Sequence, residues 1–170
     1  MENDYIIHSN FLEMVSKYYW DYQISHNKFM LNYEEEILQR KLQYIEQTLR
    51  KLKILRKETS ENFLSSFQTV DAAKHNLQVT IEAIVDIANH IVARERYGLP
   101  ESSVEAVEML VQNGILDAEL AQRLRLMIKF RNRIVHLYQE IDDEQVHKIL
   151  REDLGDIEAF IEVIVVKFLT

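Results

Sequence analysis

No glycine or proline occurs before Gly98, and the 170-residue chain holds only three glycines and one proline. A chain so poor in the two residues that punctuate backbone structure is committed to long regular elements. The apolar pattern decides which kind. Val70, Ala73, Leu77, Ile81, Ile84, Val85, Ala88 and Ile91 follow one another at mostly three- and four-residue steps, the period of a single helix face. No segment alternates as a half-buried strand would. The expected fold class is all-α, a bundle of five to six helices around one core.

The same period lays out the elements. An aromatic-rich helix is expected over 10–28, after Asn10, and a second over 33–57 with Ile37, Leu38, Leu42, Ile45, Leu49, Leu52 and Leu55 on its face. TSENFLSS then breaks the pattern. The long third helix spans 67–97, with Gly98 and Pro100 as its stop signals. Ser102 and Glu105 have capping-box spacing and open a short helix ending at Gly114. Asp117 starts the next, reaching Tyr138, and Asp142 with Gln145 starts the last, over 143–168, whose apolar stripe is interrupted only by Gly155. No repeat, low-complexity tract or linker divides the chain.

Composition narrows the function classes. With no cysteine there is no disulfide framework, thiolate metal site or cysteine nucleophile. No apolar run reaches the roughly 18 residues of a membrane span, and the N-terminus lacks a signal-peptide pattern; a cytoplasmic protein with no membrane contact is expected. The net charge of -8 is uneven. Residues 139–170 carry nine acids against three bases, whereas Arg40–Lys57 and Arg123–Arg133 are basic stretches. Either stretch could hold a polyanion or be a solvated helix face.

One helix carries residues that its pattern does not ask for. Leu124, Ile128, Arg131, Val135 and Tyr138 fall at steps of 4, 3, 4 and 3, flanked by Met127 and Ile134. At about 100° per residue Arg131 sits in the middle of this stripe, with Asn132 near 100° and His136 near 140° from it. An arginine keeps its charge, and burying it unpaired costs several kcal/mol, so it must meet a carboxylate, an anionic ligand or a wet interface. Glu82 and Asp86 on the long helix are candidate partners. The other histidines, His8, His26, His75, His90 and His147, have no ligand spacing, so no metal or other cofactor is expected. Asp142, Asp143 and Glu144 are better explained as a helix start than as cation ligands.

Arg131, four residues, His136, one residue and Tyr138, with Asn132 beside the arginine, resembles the R-x4-H-x-Y motif of HepT-type toxins in the HEPN superfamily. HNLQVTIEAIVDIANHI, GLPESSVEAVEMLVQNGIL, LAQRLRLMIKFRNRIVHLYQEID and VHKILREDLGDIEAF are similar to that family's successive segments. The resemblance covers about residues 31–170 and implies a HEPN helical bundle over 30–170. Family members usually begin near YEEEILQRKLQ, so residues 1–29 stand outside it as an aromatic-rich helical extension.

The family resemblance implies a homodimer in which two such motifs face each other and form one RNA-cleaving cleft that works without metal. Arg131 would grip the scissile phosphate, His136 would serve as general base or acid, and Asn132 would orient the imidazole or a phosphate oxygen. Arg125, Lys129 and Arg133 would follow the RNA backbone. It also implies a cognate partner, a minimal nucleotidyltransferase antitoxin, that transfers AMP to Tyr138. The competing expectation is a non-catalytic HEPN module that binds nucleotide or RNA, or serves as accessory subunit of a nucleotidyltransferase.

Overall fold

The computed structural model describes residues 33–136 and 141–169. The helical extension expected over residues 1–29, and Tyr138, lie outside the described residues. The described residues from Gln39 onward form one compact unit.

Seven helices and no strand occur among the described residues: α1 through 33–55, α2 Ser60–Ser65, α3 Phe67–Arg94, α4 Ser103–Gln112, α5 Ala118–His136, α6 Asp143–Glu152 and α7 Leu154–Phe168. The all-α expectation holds, and the structure refines it twice. TSENFLSS is a short helix rather than a break: the Thr59 hydroxyl accepts from the Asn62 N–H at 3.2 Å, and Phe63 is fully buried. The expected 143–168 helix is two helices, divided at Asp153 and not at Gly155. Val146, Leu150, Leu154, Ile157, Phe160 and Ile164 stay buried across that division, so one apolar stripe serves both helices.

α3 is the spine. Its 28 residues extend about 42 Å, and it packs against α2, α4, α5 and α6. Fourteen of its residues are buried, which is why it tolerates neighbours on several sides. Two hydroxyls bridge α1 and α3 within this core, Thr80 and Thr48, with their oxygens 2.7 Å apart; each also bonds a carbonyl of its own helix, Asn76 and Ile45 respectively. At the start of α6, Asp143 pairs at 2.7 Å with Lys74 of α3, whose side chain is only 8% exposed.

The caps at Ser102, Asp117 and Asp142 form as the sequence suggests. Their side-chain oxygens accept from the N–H groups of Glu105, Leu120 and Glu144. Asp142 thereby acts as a cap, and among the described residues no cluster of His, Asp and Glu has the arrangement of a metal site. The end of α3 differs from expectation. The helix stops at Arg94, and Arg96 turns the chain at φ +57°, ahead of Gly98 at φ +133°. The Arg96 and Tyr97 N–H groups return to the Ala93 and Val92 carbonyls, closing the αL-type helix end that glycine usually occupies. α4 closes the same way with a glycine, Gly114 at φ +68°. Among the described residues no helix is long and apolar enough to cross a membrane.

Candidate functional site

α5 positions the site, and its buried face explains how. Leu120, Ala121, Leu124, Met127, Ile128, Phe130 and Ile134 are buried, a set centred close to the direction of Arg131. Arg131 therefore enters the interface with α3, leaving its side chain only 14% exposed. Its Nη2 is ion-paired with the Glu82 carboxylate of α3, and its Nη1 donates to the Asn132 side-chain oxygen at 2.9 Å. The third guanidinium nitrogen, Nε, is buried with no hydrogen-bond partner. Of the two acids proposed for Arg131, Glu82 is the partner; Asp86, one turn on, pairs instead with Lys41 of α1 at 3.2 Å.

His136 closes α5 and is exposed, with no hydrogen bond among the described residues. It lies five positions after Arg131, which sets the two about 140° apart around the helix axis. The guanidinium is turned toward Glu82 of α3, whereas the imidazole faces solvent. Asn132 is exposed between them and spends its oxygen on Arg131, not on His136. Val135, expected in the apolar stripe, is 45% exposed. Ile134 beside it is still buried, so the core covers only part of the apolar face in this last turn.

The basic residues of α5 divide into two groups. Arg123 donates through Nε to Asp156 at 2.6 Å and through Nη1 to Glu119 at 2.7 Å. Burial works against its charge, but the hydrogen bonds and charges of Asp156 and Glu119 outweigh it and raise the guanidinium above its ordinary range. Arg125 pairs with Glu108 of α4 at 3.3 Å. Lys129 and Arg133, by contrast, are exposed and make no ion pair or hydrogen bond among the described residues. Of the three residues expected to follow a polyanion, Arg125 is thus already partnered within the chain. The Arg40–Lys57 stretch is likewise partly engaged, through Lys41 with Asp86 and Lys53 with Glu158.

Glu82 is half exposed and lines a groove of about 430 Å³ between α1 and α3, together with Arg40, Lys41, Tyr44 and Asp86. The outer edge of the Arg131 pair is therefore open to solvent although the guanidinium is not. Displacement of the carboxylate by a stronger anion would leave Arg131 aimed at the same position. Sequence reading reached Glu82 only as one of two acids. Glu108 and Asp156 it missed, since neither lies near its arginine along the chain; Glu119 is four residues before Arg123 and was legible.

Comparison with known proteins places the chain in a family. The model of the ribonuclease HepT-like family matches residues 45–164. The mRNA nuclease HepT of Shewanella oneidensis is 38% identical over 102 residues, covering 60% of this chain and 77% of that protein. The tRNA nuclease HepT of Aphanizomenon flos-aquae is 33% identical over 117 residues, covering 69% of this chain and 80% of that one. Among solved structures, a tri-AMPylated Shewanella oneidensis HEPN toxin in complex with MNT antitoxin superposes with a TM-score of 0.73 at 33% identity, covering 77% of this chain and 98% of the other. The match runs through α1 to α7 and includes the helix that holds Arg131 and His136, and on it the chain belongs to the HepT-like ribonuclease family.

Proposed function

We propose that this chain is the toxin of a toxin–antitoxin pair, an endoribonuclease whose working site is assembled from two copies of α5. The observation that carries the reading is the division of labour on that helix. Arg131 is preset by Glu82 and Asn132, and His136 is exposed on the flank with no hydrogen bond among the described residues. Since the two are about 140° apart on one helix, a twofold dimer offers the simplest way for the arginine of one chain to serve the histidine of the other.

The chemistry follows from these groups. An imidazole takes the proton from the ribose 2′-hydroxyl, and the oxygen attacks the adjacent phosphorus. The guanidinium holds the phosphate and offsets the charge that builds in the pentacoordinate state. The second histidine of the dimer returns a proton to the departing 5′-oxygen. The products are a 2′,3′-cyclic phosphate and a 5′-hydroxyl, and no metal enters the scheme.

The cognate partner is a minimal nucleotidyltransferase antitoxin, as the tri-AMPylated HEPN toxin bound to MNT antitoxin suggests. It transfers AMP from ATP to the Tyr138 phenol and releases pyrophosphate, adding bulk and negative charge beside the motif. A cytoplasmic, homodimeric protein is the setting that fits. Cleavage of a mixed RNA pool in EDTA, wild type beside His136→Ala, tests the nuclease reading. Metal-free cutting that yields cyclic-phosphate ends and disappears in the variant is the expected result; 5′-phosphate ends or loss of activity in EDTA would refute it. For the modification, one AMP-sized mass increment or more is expected after incubation with partner and ATP, absent in Tyr138→Phe.

One observation favours a second reading, a non-catalytic accessory or RNA-binding module. Arg131 is already neutralised by Glu82 within its own chain, as an arginine with a purely structural task would be. His136→Ala separates the two, because a binding module would keep its RNA affinity and have no cleavage to lose.

A further inference from the structure

We propose that the cleft between α5 and the α6–α7 pair is a base-binding subsite for the nucleotide next to the one that is cut. The proposal rests on the ribonuclease reading above. The cleft has a volume of about 540 Å³, within the roughly 300–1,000 Å³ typical of ligand sites. Its floor is apolar, built from Leu77 and Ile81 of α3, Met127 and Phe130 of α5 and Ile157 of α7. Leu126 stands at the edge, 60% exposed. An apolar slot of this size with an open lip suits a flat ring system rather than an ion.

Charge at the mouth selects what the ring is attached to. Three of the five cations of α5 are committed inside the chain, Arg123 to Asp156 and Glu119, Arg125 to Glu108 and Arg131 to Glu82. The remaining two, Lys129 and Arg133, lie one turn apart and both line the cleft. Two cations with no partner among the described residues, above an apolar floor, fit a phosphate joined to a nucleobase. The acids of the cleft do not cancel them: Asp156 is held by Arg123, which leaves Asp153 opposite. Asp153 and Gln145 supply polar atoms for the edge of a base.

Continuity with His136 favours RNA over an acidic protein segment. Lys129 lies about 20° and Arg133 about 60° around α5 from His136, at rises of about 10.5 and 4.5 Å. A strand with its scissile phosphate at His136 therefore meets Arg133 and then Lys129 as it runs back along the helix. Its adjacent base can turn inward over Leu126. A partner protein docking in the cleft would require no such alignment with the histidine.

The test uses full-length protein in a His136→Ala background, so that RNA is bound but not cut, with binding of a labelled single-stranded oligonucleotide read by fluorescence anisotropy across salt concentrations. Adding Lys129→Gln and Arg133→Gln, both at exposed positions, is expected to weaken binding about tenfold or more. It should also reduce the slope of log K against log salt by about 1.4, two single-strand phosphate contacts. Leu126→Asp should weaken binding to an intact oligonucleotide, and should do so no longer when one responsive position is made abasic. Unchanged affinity and slope in the double variant would overturn the proposal. So would an abasic series with no responsive position, or a double variant that keeps RNA but no longer binds the antitoxin.

Cleavage assays in the otherwise wild-type chain separate the two readings. A protein that never cuts, yet loses RNA affinity on these substitutions, keeps the subsite and loses the nuclease. A protein that cuts equally well with an unchanged KM in the double variant keeps the nuclease and loses the subsite.

Discussion

Removing either partner of the Glu82–Arg131 pair should have unequal consequences, because the two are unequally buried. The guanidinium is 14% exposed and the carboxylate 51%. In Glu82→Ala the arginine keeps its charge in a mostly dry site, with Nε already lacking a partner and only Asn132 left to accept from Nη1. Stripping one partner from a fully buried pair costs about 3–5 kcal/mol, whereas exposed pairs are worth about 0–1. A half-open pair falls between, at about 2 kcal/mol. In Arg131→Met the orphan is a carboxylate that water can reach, and the methionine still covers the apolar wall, so the loss should stay below about 1 kcal/mol. For a chain of this size the first change should lower Tm by about 4–8 °C and the second by less than about 4 °C. Urea titration of both single variants and the double, at one protein concentration, measures the difference. Equal losses, or a larger loss in Arg131→Met, would refute the argument. Arg131→Met should also abolish RNA cleavage although it is the more stable of the two variants, so its loss of activity would not be a loss of fold.

Two further predictions concern stability. Asp153 begins α7 without making a side-chain cap, and burial, with the charges of Asp156 and Glu152, raises its carboxyl above the ordinary range against a smaller opposing effect of Lys148. A raised carboxyl contributes stability at low pH and loses it as the pH climbs through its folded value. Asp153→Asn should therefore melt higher than wild type at pH 7, and the gap should close below about pH 4; a gap that widens on acidification would contradict the assignment. Arg96 adopts a left-handed conformation without a glycine's freedom. Arg96→Gly should relieve up to about 1 kcal/mol, partly offset by the looser unfolded chain, and a Tm lowered by several degrees would mean that the arginine side chain has a role its exposure does not suggest.

What could be read from the sequence was local. The helical class followed from apolar spacing, and the starts at Ser102, Asp117 and Asp142 followed from residues whose side chains reach only two or three positions ahead. The motif helix was legible for the same reason, down to an arginine that had to meet a carboxylate, an anionic ligand or a wet interface, of which the chain supplies the carboxylate of Glu82. Helix ends were harder. Gly98 was read as the stop of the long helix and 143–168 as a single helix, whereas α3 stops at Arg94 with Arg96 turning the chain, and the last stretch divides at Asp153. Val135 seemed part of the stripe because periodicity does not say where a helix outruns its neighbours. The cleft was invisible because Leu77, Phe130 and Ile157 lie far apart along the chain and only the fold makes them neighbours.

The short helix α6 has a consequence for motion. Ten residues cannot sustain a helix in water, so α6 persists through what it leans on: buried Val146 and Leu150, the Lys74–Asp143 tie and the His147 ring against Phe63 at 4.8 Å. Few ties make it a natural first place for local opening, ahead of the α3 spine. Gln145, Lys148 and Ile149 on this helix form one wall of the cleft. Each opening would dismantle that wall, and an occupant bound there would hold it shut. Amide hydrogens of α6 should then exchange faster than those of α3 in the free protein and slow on RNA binding, so that occupancy of the cleft is written into the exchange rates of one small helix.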